Sequence, residues 1–283
     1  MARRRPLALL AAAGCALLAV AVWVAVFQTH LGQQADEAAF RGFVKLQETA
    51  ADPVASWVSA LCNPRQYAVL VGILLVSALV VRGPRHALAC IVVVVATNGV
   101  TQALKPALAA PRLDGVVDGR FFVHHASWPS GHATASMALA LCAVLVAPVV
   151  VRRLVAVAGG LFAIAVSYSV VLLGWHMPSD ALGGFAVAGT GAALVLWALW
   201  TAEARWPSPR RPAGVRSAWA AQAPAARITT GVAVTVVAAV VLRTALWLPS
   251  QRQQAAFLAV AGSIVVLALA LSAVAARATP TSG

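Results

Sequence analysis

Eight apolar runs alternate along this chain with shorter polar segments, at about residues 7–27, 67–81, 87–104, 133–151, 154–174, 181–200, 228–248 and 255–276. About 20 apolar residues let an α-helix cross the ~30 Å hydrocarbon core of a bilayer. Only a structure that satisfies its own backbone hydrogen bonds survives there. The pattern therefore predicts an all-α polytopic membrane bundle. Residues 1–200 form a six-helix domain, 201–227 a Pro- and Arg-rich linker, and 228–283 two additional transmembrane helices. The first run follows Arg3, Arg4 and Arg5 and is closed by no A-x-A site before Gln28, so it reads as an uncleaved anchor.

Composition agrees. The 283 residues are 61% hydrophobic and 10% charged, whereas soluble domains are about one quarter charged. The formal charge of +13 does not mark a nucleic-acid binder, because its basic residues sit between apolar runs instead of along one stripe. Cys15, Cys62, Cys90 and Cys142 show no paired spacing and read as small packing residues. The Ala-, Val- and Arg-rich usage is of the kind encoded by GC-rich bacterial genomes.

Basic residues orient a membrane protein, since they accumulate in cytoplasmic loops. With the N-terminus inside, the cytoplasmic segments hold Arg3, Arg4, Arg5, Arg82, Arg85, Arg152, Arg153, Arg205, Arg210, Arg211, Arg216, Arg227 and Arg277. The outer segments hold only Arg41, Lys45, Arg65, Lys105, Arg112, Arg120 and Arg252. Arg243 lies inside the seventh run and is expected to snorkel to an interface. Both termini are thus expected in the cytoplasm of a cell-membrane protein. Three longer polar segments remain. Residues 28–66 contain an amphipathic stretch near 40–61, expected to lie on the membrane surface. Residues 105–132 form an outer loop, and 201–227 are expected to touch anionic lipid headgroups.

The chemistry-bearing residues collect at the outer face, each beside a helix end. Lys105 and Arg112 open the second outer loop, Pro129-Ser130-Gly131-His132 closes it, and His176 and Asp180 lie in the third. Hydrolysis of a phosphate ester needs an in-line nucleophile, a proton for the leaving oxygen, and fixed positive charge or N–H donors around the phosphoryl oxygens. Lys105 and Arg112 can supply charge, the arginine through two parallel bonds. Ser130, Gly131 and His132 stand where a helix start directs unpaired N–H groups outward. Of the two histidines, one can attack and the other can donate a proton. Asp180, four residues after His176, can fix an imidazole tautomer, and Pro178 suits the first turn of the next helix. No metal or cofactor is needed.

These motifs resemble those of the type-2 phosphatidic acid phosphatases, or lipid phosphate phosphatases, with signatures K-x6-R-P, P-S-G-H and S-R-x5-H-x3-D. This chain reads Lys105-x6-Arg112-Leu113, Pro129-Ser130-Gly131-His132 and Ser169-Val170-x5-His176-x3-Asp180. The resemblance covers residues 1–200 and implies a six-helix core with an outer-face site. It also implies roles. His176 would become a phospho-histidine, Asp180 would orient it, and His132 would protonate the leaving group. Lys105, Arg112, Ser130 and Gly131 would hold the phosphate. Two positions depart: Leu113 replaces a proline, and Val170 replaces a phosphate-binding arginine. Losing such a contact costs roughly 10²–10³ in rate by analogy with a lost oxyanion donor, and Arg120 is the candidate substitute.

Several residues have plainer readings. His124 and His125 lack ligands at metal spacing and are read as pocket-lining or solvated. Asp114 and Asp118 read as turn formers around Gly115 and Gly119. Asn98, Thr101 and Gln102 read as inter-helix hydrogen-bonding groups, and Trp128 and Trp175 as interface-belt or substrate-stacking residues. The expectation is thus a membrane phosphatase acting on a lipid phosphate or diphosphate, with a polyprenyl carrier the first choice. The alternative, motivated by Val170, is a weak or silent member that binds or moves such lipids. A transporter would require charges at midplane in both halves, and none are found. Membrane lipids are the other expected contacts, no nucleic acid is expected, and the pattern specifies no oligomeric state.

Overall fold

The computed structural model describes residues 4–45, 47, 51–110, 116–117, 121–207, 242 and 251–279. Among these the helices are α1 (Arg4–Gln28), α2 (His30–Val44), α3 (Ala51–Ala60), α4 (Pro64–Val81), α5 (Pro84–Ala107), α6 (Gly131–Val146), α7 (Arg152–Leu172), α8 (Pro178–Arg205) and α9 (Gln251–Ala278). A short antiparallel pairing of β1 (Val116–Val117) with β2 (Phe121–Phe122) decorates the loop before α6. By length and composition, α1, α4, α5, α7, α8 and α9 can each cross a bilayer, and the shorter α6 is also apolar. The predicted seventh span at 228–248, with Arg243, lies outside the described residues apart from Leu242.

Local chemistry sets the helix boundaries. Pro64, Pro84 and Pro178 occupy first turns, where a missing N–H costs nothing. Gly83 turns the chain between α4 and α5 at φ 92°, a conformation glycine adopts without strain. Thr29 separates α1 from α2: its hydroxyl donates to the Ala25 carbonyl and accepts from the Gly32 amide. The predicted span 133–151 is shorter than expected, because Pro148 forces Ala147 into an extended conformation (φ −56°, ψ 136°) and α6 stops at Val146. The carbonyls of that end are held by Arg82, which donates to Val146 and Ala147, and by Arg152, which donates to Ala147 and Thr279.

α6 is the axis of the bundle, buried along most of its length and packed by α4, α5, α7, α8 and α9, while α1 lies along α8. Core residues such as Val93, Met137, Ile164, Phe185 and Ile264 come from five of these helices. The α6–α8 crossing is close. A Cβ on Gly184 would lie 2.7 Å from the Ser130 carbonyl oxygen and 2.9 Å from the Thr134 amide nitrogen. These are backbone atoms and cannot swing aside. Gly184→Ala is therefore expected to destabilise the fold by about 1–3 kcal/mol, read as a lower unfolding midpoint in detergent.

Only part of the amphipathic stretch departs from its expected place on the membrane surface. It falls in two helices: α3 leaves Val54 and Trp57 exposed, whereas α2 turns its apolar side into the protein. Phe40 and Phe43 are fully buried, and Phe43 packs on Tyr168 of α7 and Phe257 of α9, each 4.9 Å away between ring centroids. Amphipathicity defines an apolar face but not whether lipid or protein covers it. Tyr168 also donates to the Ala261 carbonyl at 2.7 Å, so α9 is bound to both α2 and α7.

Candidate functional site

One end of the bundle gathers the chemistry. After α7, Gly174 turns the chain at φ 76°, and the Trp175 amide donates to the Val170 carbonyl at 3.0 Å. His176 follows, then Met177 as N-cap, Pro178, and Asp180 in the first turn of α8. The Asp180 carboxylate is fully buried. Its Oδ2 accepts from the Met177 amide at 3.0 Å and lies 3.2 Å from Nδ1 of His176. A single acceptor thus caps a helix and orients an imidazole. A carboxylate is well suited to both tasks, since a helix start favours negative charge and an ionised acceptor fixes the Nδ1–H tautomer.

The second signature is stitched to the third. The Ser130 amide donates to the Asp180 backbone carbonyl at 2.9 Å, while the Ser130 hydroxyl accepts from the Ala133 amide as the N-cap of α6. This corrects one expectation. The Ser130 N–H does not point outward to an anion; it ties the start of α6 to the start of α8. The amides of Gly131 and His132, the first two residues of this helix, have no acceptor within it. Gly131 faces α5: a Cβ there would stand 3.6 Å from the Gln102 amide nitrogen and 4.0 Å from Lys105 Nζ. Lys105 is close enough to interact electrostatically with both Asp180 and His132.

His132 stands ahead of the apolar stretch of α6. Burial first, then the charges of His176 and Lys105, push its pKa down to about 4. The neutral imidazole is thereby favoured. Its Nε2 lies 3.2 Å from Oδ1 of Asn63, and its ring centroid 5.7 Å from that of Trp175, which is half exposed. Lys105, Ser130, Gly131, His132, His176 and Asp180 thus share one end of the bundle and are linked by bonds or electrostatic contact. Arg112, Leu113 and Arg120, together with Asp114, Gly115, Asp118 and Gly119, lie outside the described residues.

Val170 is fully buried in α7, so the position where the third signature has arginine is filled by a core side chain. His124 and His125 are exposed, with ring centroids 6.3 Å apart. Among the described residues no three His, Cys, Asp or Glu side chains group as a metal site would require. Thr101 bonds Thr134 at 3.0 Å between α5 and α6. Trp128 is buried against Gly183 of α8.

Two residues beside the site carry no signal in the sequence. Asn63 sits before Pro64 and looks like an ordinary helix start. Asp36 of α2 is buried and accepts from both the amide (2.9 Å) and hydroxyl (2.6 Å) of Ser179, next to Asp180. A polar residue before a proline, or within an amphipathic helix, carries no mark of such a distant partner.

Comparison with known proteins gives a family match over one segment and a fold. Residues 86–204 match the model of the PAP2 superfamily. No curated protein sequence matches the chain. A solved structure similar to this chain is the crystal structure described as the first transmembrane PAP2 type phosphatidylglycerolphosphate phosphatase from Bacillus subtilis. It is 22% identical with a TM-score of 0.57, and the similarity covers 71% of this chain and 99% of that one.

Proposed function

We propose, since residues 86–204 match the model of the PAP2 superfamily, that this multi-pass membrane protein is a lipid phosphatase whose nucleophile is His176. One observation carries the reading: His176 is held through Nδ1 by a buried carboxylate while a second histidine, His132, and a lysine interact within the same cluster. With Nδ1–H bound to Asp180, the lone pair of His176 resides on Nε2. That nitrogen attacks phosphorus as the bond to the lipid oxygen breaks. His132 gives its proton to the departing alkoxide, and a phospho-histidine remains. His132 then takes a proton from water as the water oxygen attacks phosphorus, releasing inorganic phosphate and restoring the His176 lone pair. Since burial favours the neutral His132 ring, its catalytic proton arrives with a singly protonated phosphate or is taken up once the dianion is in place. Lys105 and the Gly131 and His132 amides offer positive charge and donors for the phosphoryl oxygens. Arg112 and Arg120 are the proposed further cations.

The substrate class is an amphiphilic phosphate monoester or diphosphate, with a polyprenyl diphosphate preferred on the proposed outer-face position of the site. Phosphatidic acid and phosphatidylglycerol phosphate are the other candidates, the latter also because the similar Bacillus subtilis structure is described as acting on it. The proposed topology places both termini in the cytoplasm. The test is phosphate release by purified protein from these lipids in detergent with a chelator present. Release from at least one is expected. The buried Val170 favours a second reading, a lipid-phosphate binder of weak or no turnover. Tight binding with no release from any of them establishes that reading and overturns the hydrolase.

A further inference from the structure

We propose that Asn63, outside the family-matched segment, is a positioning residue that selects the proton-transferring nitrogen of His132; the proposal rests on the hydrolase reading above. Asn63 is the N-cap residue of α4, followed by Pro64. Asparagine at that position ordinarily turns its side-chain oxygen back onto the first amides of its own helix. Here it makes no such cap. Its backbone carbonyl still starts the helix by accepting from the Tyr67 amide at 2.8 Å, but its Oδ1 reaches His132 Nε2 at 3.2 Å, across 69 residues of sequence. The side chain has given up a local bond for a distant one.

An amide oxygen only accepts, so the His132 nitrogen facing it carries the proton. A neutral imidazole has one N–H and one lone pair, and the partner of one nitrogen decides the state of the other. Asn63 therefore keeps the proton on Nε2 and leaves Nδ1 as the nitrogen that binds and releases the catalytic proton. During the first half-reaction the Nδ1 proton passes to the lipid alkoxide as the P–O bond breaks. In the second, Nδ1 receives a proton from the attacking water. Nε2–H stays on Asn63 throughout, so the ring does not rotate between the two steps. His176 has its ring fixed by a carboxylate, which favours the charged imidazole. His132 is held by a neutral amide, which fixes its orientation without adding negative charge to an acid that has to give its proton away.

Two substitutions separate this role from a structural one, because serine and aspartate are both good N-cap residues. Asn63→Ser preserves the helix start but is too short to reach the ring. Asn63→Asp keeps an acceptor at the same reach. In ¹⁵N-histidine-labelled protein in detergent, wild type and Asn63→Asp are expected to show the His132 proton on Nε2, and Asn63→Ser a mixture of tautomers. The serine variant is also expected to lose about tenfold or more in kcat, part of what general acid catalysis contributes, with KM little changed and an unfolding midpoint at or above that of wild type. A wild-type tautomer in Asn63→Ser, or a wild-type kcat in that variant, overturns the proposal. If the wild-type protein releases no phosphate from any lipid, the hydrolase reading fails separately, and the tautomer measurement still decides whether Asn63 sets the ring.

Discussion

His176→Ala is expected to abolish phosphate release, with a loss in kcat on the order of 10⁶ if this residue acts as the covalent nucleophile, by analogy with other enzymes stripped of theirs. The expectation follows from placement. His176 is buried, and its Nδ1 is committed to Asp180, which leaves Nε2 as the nitrogen available for attack. Alanine removes the attacking atom and leaves the start of α8 intact, because Met177, Pro178 and Asp180 make that start. The chain should therefore fold and still bind a lipid phosphate. The check is twofold: release of phosphate, and capture of an acid-labile, alkali-stable phosphoryl group on wild-type protein that is missing from the variant. Wild-type turnover in His176→Ala would exclude it as the nucleophile.

Asp180→Asn is the second large effect, and its cause differs. An asparagine at this position still offers an oxygen to the Met177 amide, so the helix start is preserved. Both bonds go to the one Oδ2 position, so the asparagine oxygen there keeps the Nδ1–H tautomer of His176. What is lost is the buried negative charge that supports the imidazole as it gains positive character. A loss of about 10²–10³ in kcat is expected, the scale of one lost electrostatic contact to a developing charge, with an unfolding midpoint near that of wild type. Steady-state kinetics and thermal unfolding of the same preparation check both halves. An equal collapse of stability and activity would show that Asp180 acts as a helix cap alone.

Much of this site could be read along the chain because its strongest parts are local. His176 and Asp180 belong to one helix start, and four residues bring them together. Ser130, Gly131 and His132 open a single helix, so their roles as cap and first-turn residues follow from order alone. The spans were legible for a similar reason, since the length of an apolar run is itself the physical requirement for crossing lipid. What sequence could not supply was pairing across distance. Asn63 meets His132 across 69 residues, and Asp36 meets Ser179 across 143; each sits in a segment whose own pattern is fully accounted for without its partner. The fate of α2 shows the same limit. Its apolar stripe was plain, but whether it would face lipid or the rings of Tyr168 and Phe257 depended on the packing of other helices. Ser130 shows a subtler one: the motif marked a helix start with available amides, and only the Asp180 carbonyl determined which amide was already in use.

The length of α6 bears on how a substrate can reach His132. Its 16 residues at 1.5 Å each make a rod of about 24 Å, shorter than the ~30 Å of hydrocarbon that a bilayer presents. At least one end of this rod therefore sits below the headgroup plane, or the lipid around the protein thins to meet it. One end carries the histidine and the other the carbonyls gripped by Arg82 and Arg152. Where the catalytic end is the sunken one, a phosphate sinks to meet it instead of its lipid rising out of the leaflet, so the acyl or prenyl tail can remain in oil throughout the reaction.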